Sequence, residues 1–255
     1  YLQAYGDLAV QAGFSTSRVR YRLGSAYQRW AQVSIEAGSR PIAHERLNGA
    51  IAHYDTLLTQ DPAGSYSIDA TFNRAVAMQA IGTAASLDAA RISFERIVAD
   101  AQNAGYVERS LVQLAELHGK QGDHAAAVSS AQQLLDEYPD SELADEAYLL
   151  MGLAHQAQGI LQSAVDAFAR VSATSPLYGR AAMGGGHALL SLGRAQDAIA
   201  TLEAGVETAD QAYLSSYRYL LGQSHQALGA SAEAFDQFNK GLAASPPRDL
   251  EEALR

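Results

Sequence analysis

Apolar side chains return along this chain with the period of an α-helix, and glycine or proline punctuates them at fixed intervals. Between residues 145 and 176, Tyr148, Met151 and His155 fall at helical spacing and Gly159 offers the permissive backbone of a helix end. Ala164, Val165, Phe168 and Val171 then carry a second helical run until Ser175-Pro176 stops it. The stretch predicts two antiparallel helices. Counted from Gly152, the marks lie seven (Gly159), twelve (Ala164), sixteen (Phe168) and twenty-four (Pro176) residues on. The same offsets lead from Gly222 to Gly229, Ala234, Phe238 and Pro246, and from Ala115 to Gly122, Ala127, Ala131 and Pro139. From Gly186 they lead to Gly193, Ala198 and Leu202, with Asp210 in place of the proline. Gly152 and Ala164 are small enough for two helices to approach closely, and Phe168 is placed to fill space toward the next pair. One pair cannot bury its apolar face alone, so the pairs must stack.

Two earlier units keep the pattern with insertions. Ala75 and Gly82 hold the sevenfold offset while Ala90 and Phe94 arrive three residues late, which predicts a longer turn around Thr83 to Leu87. From Gly24, the marks Ala50, Tyr54 and Pro62 are all displaced by fourteen residues, so one insertion separates the two helices of that unit and both should project beyond the rest. There Gly38, Ser39 and Pro41 read as a helix end, an N-cap and a first-turn proline. Trp30, the only tryptophan, lies on this arm, as a cap of the stack or a contact for a partner or for a further N-terminal segment. The expected fold is an all-α, right-handed α-solenoid of six helix pairs forming one domain over 1–255. Its units lie at about 17–62, 68–100, 108–139, 145–176, 179–210 and 215–246, with helical flanks at 1–16 and 247–255. Leu250 and Leu254 around Glu251-Glu252 read as the first turns of a further helix, so the native protein is expected to continue.

The marks Tyr148, Met151, Gly152, His155, Gly159, Ala164, Phe168 and Pro176 resemble the tetratricopeptide repeat family, whose 34-residue pattern runs aromatic, Leu-Gly, Tyr, Gly, Ala, Phe, Pro. The resemblance spans roughly Ser17 to Pro246 and departs from the Leu-Gly pair at Arg74-Ala75 and Gly185-Gly186. It implies that the first helix of each unit lines a concave groove that takes up a partner's extended or helical peptide. By position it implies an apolar row three residues before each anchor: Tyr21, Phe72, Val112, Leu149, Met183 and Tyr219. Four residues after the anchors come Gln28, Gln79, Gly119, Gln156, Leu190 and Gln226. Apolar groups bury partner side chains and amides bond partner backbone, although the apolar row equally suits packing between helices. The family's clamp for a terminal carboxylate uses lysines and asparagines, whereas these positions are mainly apolar or amide, so chaperone-tail binding is not expected. Arg109 with Lys120 is the best local anion site. The junction Tyr138 to Ser141, followed by Ala144 to Tyr148, resembles bacterial envelope members of the family and tilts localisation toward the periplasm or envelope, with the cytoplasm as alternative.

Composition narrows the partners. With 48% hydrophobic and 18% charged residues among 255, the chain can bury a sizeable core. Acidic residues number 28 against 18 basic, a net −10 that repels phosphate backbones and anionic lipid heads, so neither nucleic acid nor membrane insertion is expected. Cysteine is absent, which removes disulfides, thiolate zinc sites and cysteine nucleophiles. No phosphate-binding glycine loop, nucleophile elbow or His-Glu-x-x-His motif occurs, so no catalytic residue, cofactor or metal is expected. Gly184-Gly185-Gly186 sits inside a predicted helix and reads as close packing, or as a weak point that lets the last units flex. His118, His155 and His225 share one repeat position. Stacked helices put such groups about 8–10 Å apart, too far to share an ion bound at about 2.0–2.1 Å, so they read as partly buried histidines. Six residues before the anchors, Arg18, Asp69, Arg109, Glu146, Arg180 and Ser216 alternate in sign and make no single-charge track.

The expected function is a non-catalytic protein–protein interaction scaffold that binds a partner on the concave face, with homo-oligomerisation open. The alternatives are a self-associating or regulatory solenoid of a larger protein, or a polysaccharide-secretion component. Against the last, Tyr21, Phe72 and Tyr219 lie too far apart in the stack for a continuous aromatic platform.

Overall fold

Left-handed glycines set the architecture. In the computed structural model, which describes residues 2–100, 103–209 and 213–244, Gly38, Gly82, Gly122, Gly159, Gly193 and Gly229 all have φ between +74° and +82°. Each ends a helix. After Gly159 the Ile160 N–H reaches back to the His155 carbonyl at 2.9 Å while Gly159 N–H bonds Gln156, the paired bonds of a Schellman ending. Arg194 to Leu189 and Ala230 to His225 repeat it. Gly82 differs, bonding only Met78 at 3.4 Å.

The described residues form thirteen helices. They divide into two compact units, 1–117 and 118–255. The first unit holds α1 (Leu2–Gln11), α2 (Thr16–Glu36), α3 (Arg40–Gln60), α4 (Ser67–Ile81), α5 (Ala84–Asp100) and α6 (Ala104–Gln121) up to Leu117. The second holds α7 (His124–Glu137), α8 (Ala144–Ala157), α9 (Leu161–Phe168), α10 (Tyr178–Ser191), α11 (Ala195–Val206), α12 (Leu214–Ala227) and α13 (Ser231–Ala244). In the first unit α1 to α5 pack each on the next and α2 also meets α4, while in the second α7 to α13 pack each on the next, α8 also meets α10 and α10 meets α12.

The repeat marks are the packing contacts. An added Cβ at Gly24 would stand 2.5 Å from the Tyr54 ring, at Gly152 2.6 Å from Phe168, at Gly186 2.5 Å from Leu202 and at Gly222 2.4 Å from Phe238. Each anchor therefore receives the bulky residue of its own pair, which any larger residue would displace. Phe168 also reaches Gly184 of the following pair, where a Cβ would stand 2.6 Å from the ring tip. One ring thus ties α8, α9 and α10 into a core with Leu149, Ala164, Val171, Ala181 and Ala188. In the first unit Phe72, Ala75, Ala90, Phe94, Ile97 and Leu114 make the corresponding cluster.

Helix α10 runs unbroken through its three glycines. Gly184 and Gly186 are close-packing positions, but a Cβ at buried Gly185 would meet Phe168 and Thr201 at 3.5 and 3.6 Å, ordinary contact. Gly185→Ala is therefore expected to raise the stability of the second unit by about 1 kcal/mol, the helix-interior difference between the two residues. Chemical denaturation reads it, and a loss of stability would show that the site has no room.

Two local expectations need correction. Helix α9 stops at Phe168 rather than running to Ser175, because Arg170 and Val171 bond to Ala167 and Phe168, a tighter turn that still leaves Val171 buried. The three extra residues near Thr83 lengthen α5 rather than the turn, with Thr83 Oγ1 accepting the Ser86 N–H at 3.2 Å as a cap. Ser39 is the N-cap of α3 with Pro41 in its first turn, as expected, although the Ser39 side chain makes no capping bond. The fourteen-residue insertion itself is helical: α2 and α3 each have 21 residues, against 14 in α8. The positions at Asp210, Pro246, Leu250, Glu251, Glu252 and Leu254 lie outside the described residues.

Candidate functional site

Residues three before, one after and four after each anchor share one helix face, because they are spaced by four and three. In the second unit this face carries Leu149, Leu153 and Gln156 on α8, Met183, His187 and Leu190 on α10, and Tyr219, Gln223 and Gln226 on α12. Between these helices lies a cleft of about 640 Å³. Its floor is closed by Leu149, Gly184 and Leu220. Leu153 and Tyr219 stand on its walls 39% and 56% exposed, with Tyr213 beside them.

The walls are held in place. Tyr219 accepts a hydrogen bond from Gln223 Nε2 at 3.1 Å, and its ring lies 5.9 Å from that of Phe238, which is itself seated on Gly222. Across the cleft Gln156 Nε2 lies 2.6 Å from His187 Nδ1. Exposed Arg180 supplies a cation to the lining. Beneath, buried Tyr217 donates to the Gly179 carbonyl, and burial pushes its hydroxyl pKa up to about 12.

The first unit uses the same repeat positions differently. Tyr21 is half-buried and stacks on Tyr66 at 5.2 Å. Gln28 accepts from Tyr54 Oη at 2.6 Å and donates to the Asn73 carbonyl at 2.8 Å, so its amide links α2, α3 and α4. Burial pushes the Tyr54 hydroxyl up to about 12. Gln79 donates to Glu116 at 3.1 Å. Phe72 is buried, edge-on to Phe94 and Tyr106, with the Arg109 guanidinium 4.1 Å above its ring, so that cation rests on an aromatic face. Val112 is buried, while Lys120 and Gln226 are exposed. His53 is buried against Tyr27, and burial together with Arg20, 3.3 Å from its Nδ1, lowers its pKa. A smaller cleft of about 400 Å³ bordered by α2, α3 and α4 includes Tyr21, Gln28, Ile35, Asn73 and Val76.

Of the residues expected on the groove, the structure gathers Leu149, Met183, Tyr219 and Gln156 around one cleft, and Tyr21 and Gln28 around another. Leu153, Arg180, His187 and Tyr213 complete the first and were not in the expected binding set. The signal for Leu153 was present: it stands one helical turn after Leu149. His118, His155 and His225 are half-buried, and no cluster of His, Asp or Glu suited to a metal occurs among the described residues. On the long arm, Arg46 lies 3.7 Å over Trp30, donates to its carbonyl at 2.9 Å and bonds Ser34, while Val33, Ile35 and Ile42 are exposed near the tip. No described helix is long and apolar enough to cross a membrane.

Comparison with known proteins agrees with this architecture. Tetratricopeptide repeat families match residues 109–141 and, in two overlapping stretches, 149–213 and 183–249, together just over half of the chain. No curated protein sequence matches. Among solved structures, PilW, a widely conserved type IV pilus biogenesis factor, is 18% identical with a TM-score of 0.60 over 84% of this chain and 90% of that one. BtubC from P. vanneervenii is 15% identical, with a TM-score of 0.61 over 79% and 89%. A thermophilic TPR protein of Thermus thermophilus, TTC0263, is 22% identical, with a TM-score of 0.50 over 74% and 96%. At these identities the likeness is one of fold. With glycine-ended helix pairs, anchors that seat the bulky mark of the same pair, and repeat matches over more than half its length, the chain belongs to the tetratricopeptide repeat family.

Proposed function

We propose that this protein is a non-catalytic scaffold that takes up a protein partner, as a peptide segment, in the cleft of the second unit. The observation that carries the reading is the pair of exposed apolar walls, Leu153 and Tyr219, facing a closed apolar floor. Such a cleft suits a bulky apolar side chain, and the rim groups Arg180, Gln156 and His187 suit the polar backbone and a carboxylate beside it. An envelope role is supported by the fold shared with PilW and by the junction at Tyr138 to Ser141.

Selection of a displayed random-peptide library against the whole chain tests the reading. Enriched peptides should carry a bulky apolar residue. Leu153→Glu should weaken them by at least about 30-fold, the effect of losing a contact of about 2 kcal/mol, while Val33→Ser on the arm leaves them unchanged. Binders indifferent to Leu153→Glu and to Tyr219→Ala would place recognition elsewhere.

A further inference from the structure

Charge is segregated along this chain. From residue 8 to 35 there are four arginines, Arg18, Arg20, Arg22 and Arg29, and no carboxylate. From 121 to 169 there are eight carboxylates and neither lysine nor arginine. Both stretches present their charge on ordered surfaces. On α2, Arg18, Arg22 and Arg29 are exposed and lie on one helix face at spacings of four and seven, while Arg20 turns to His53. Arg18 and Arg22 also border an apolar cleft of about 330 Å³ between α1 and α2, floored by Val19, Leu23 and Ala26 and walled by Phe14, which is 51% exposed. A cationic rim around an apolar slot fits an acidic segment with a compact apolar tip.

The corner joining α7 to α8 has that chemistry. Asp136, Glu137, Asp140 and Glu142 are exposed around Pro139, and the Ser141 N–H bonds the Tyr138 carbonyl at 3.0 Å to hold the turn. Asp136 and Glu137 sit in the last turn of α7, which has no basic residue. Carboxylates there oppose the helix dipole, a placement that a cation brought from outside would relieve. Gln132 and Gln133 donate to these two carboxylates at 2.7 and 3.0 Å but add no charge.

We propose that copies of this chain associate head to tail, the α7–α8 corner of one seating on the Arg18, Arg22 and Arg29 face of the next, with Pro139 in the α1–α2 cleft. This contact is independent of the peptide cleft in the second unit. A net −10 on every copy does not forbid it, because at physiological salt charges are screened beyond roughly 8 Å and the contacting groups decide. The two surfaces differ, so the contact is heterologous, and each copy keeps one surface open for a further copy, in a ring or an open chain.

Sedimentation velocity of the whole chain tests this at about 20 mM and about 0.5 M salt, where the screening length falls from roughly 20 Å to about 4 Å. At low salt the weight-average sedimentation coefficient should rise with concentration past the dimer, and at high salt it should fall to the monomer. A variant with Arg18→Glu, Arg22→Glu and Arg29→Glu, and another with Asp136→Lys, Asp140→Lys and Glu142→Lys, should each be monomeric at unchanged helicity. Their equal mixture should associate again, since the altered charges are complementary, and this separates lost contact from lost fold. A parent monomeric at every concentration overturns the proposal, as does either variant associating like the parent or a mixture that stays monomeric. If the monomeric parent instead binds an acidic segment of another protein through these arginines, the second copy is likewise excluded as the occupant.

Discussion

Phe168→Ala is expected to lower the stability of the second unit by about 3–5 kcal/mol, the usual range for truncating a buried aromatic. The ring is 3% exposed and rests against both Gly152 and Gly184, so its removal opens space on two helices at once. The two glycines themselves have no side chain to fill the gap. Urea unfolding followed by far-ultraviolet circular dichroism measures the loss, and a value below about 1 kcal/mol would mean that the ring does not join the two pairs. Gly152→Ala and Gly184→Ala, which push a methyl against the same ring, should each cost about 1–3 kcal/mol as overpacking.

Leu149→Glu should also unfold the second unit, whereas Leu153→Glu should leave its helicity intact. The two leucines border the same cleft one helical turn apart, but Leu149 is 2% exposed and packed against Phe168 and Val171, while Leu153 is 39% exposed. A carboxylate at the first position must be buried in an apolar core without a partner, at several kcal/mol. At the second it reaches water. Melting curves of the two variants decide the point: equal melting temperatures would contradict the assigned burial. The contrast also makes Leu153 the residue through which binding can be tested without disturbing the fold.

The repeat architecture was legible because its cause is local and recurs. A glycine with positive φ at the end of a helix, and a small anchor opposite a bulky residue sixteen positions later, leave the same trace in each unit that keeps them, and Gly152, Gly159 and Phe168 are such a set. The longer insertion was legible in shape as well as place, since Gly38, Ser39 and Pro41 set its turn between two lengthened helices, whereas the three residues near Thr83 read as turn and instead lengthen α5. The packing of Ala31, Leu47 and Ala77 then holds the lengthened helices together. The binding rows were least legible. One repeat position is a buried ring under Arg109 at Phe72, a stacked ring at Tyr21 and an open wall at Tyr219, because exposure depends on the neighbouring helix and not on the register. Gln28 shows the same limit, since its amide is engaged by Tyr54 and Asn73, groups far from it in sequence.

The arm that carries Trp30 bears on how unfolding is observed. As the chain's only indole lies in the first unit beneath the Arg46 guanidinium, intrinsic emission is a gauge of that region alone. The second unit, with its phenylalanines and tyrosines, melts without an indole reporter. Fluorescence and ellipticity recorded on one sample therefore act as two separate thermometers. Where their midpoints part, the gap measures how far the two units unfold as independent cooperative blocks, as nearest-neighbour coupling in a repeat array permits.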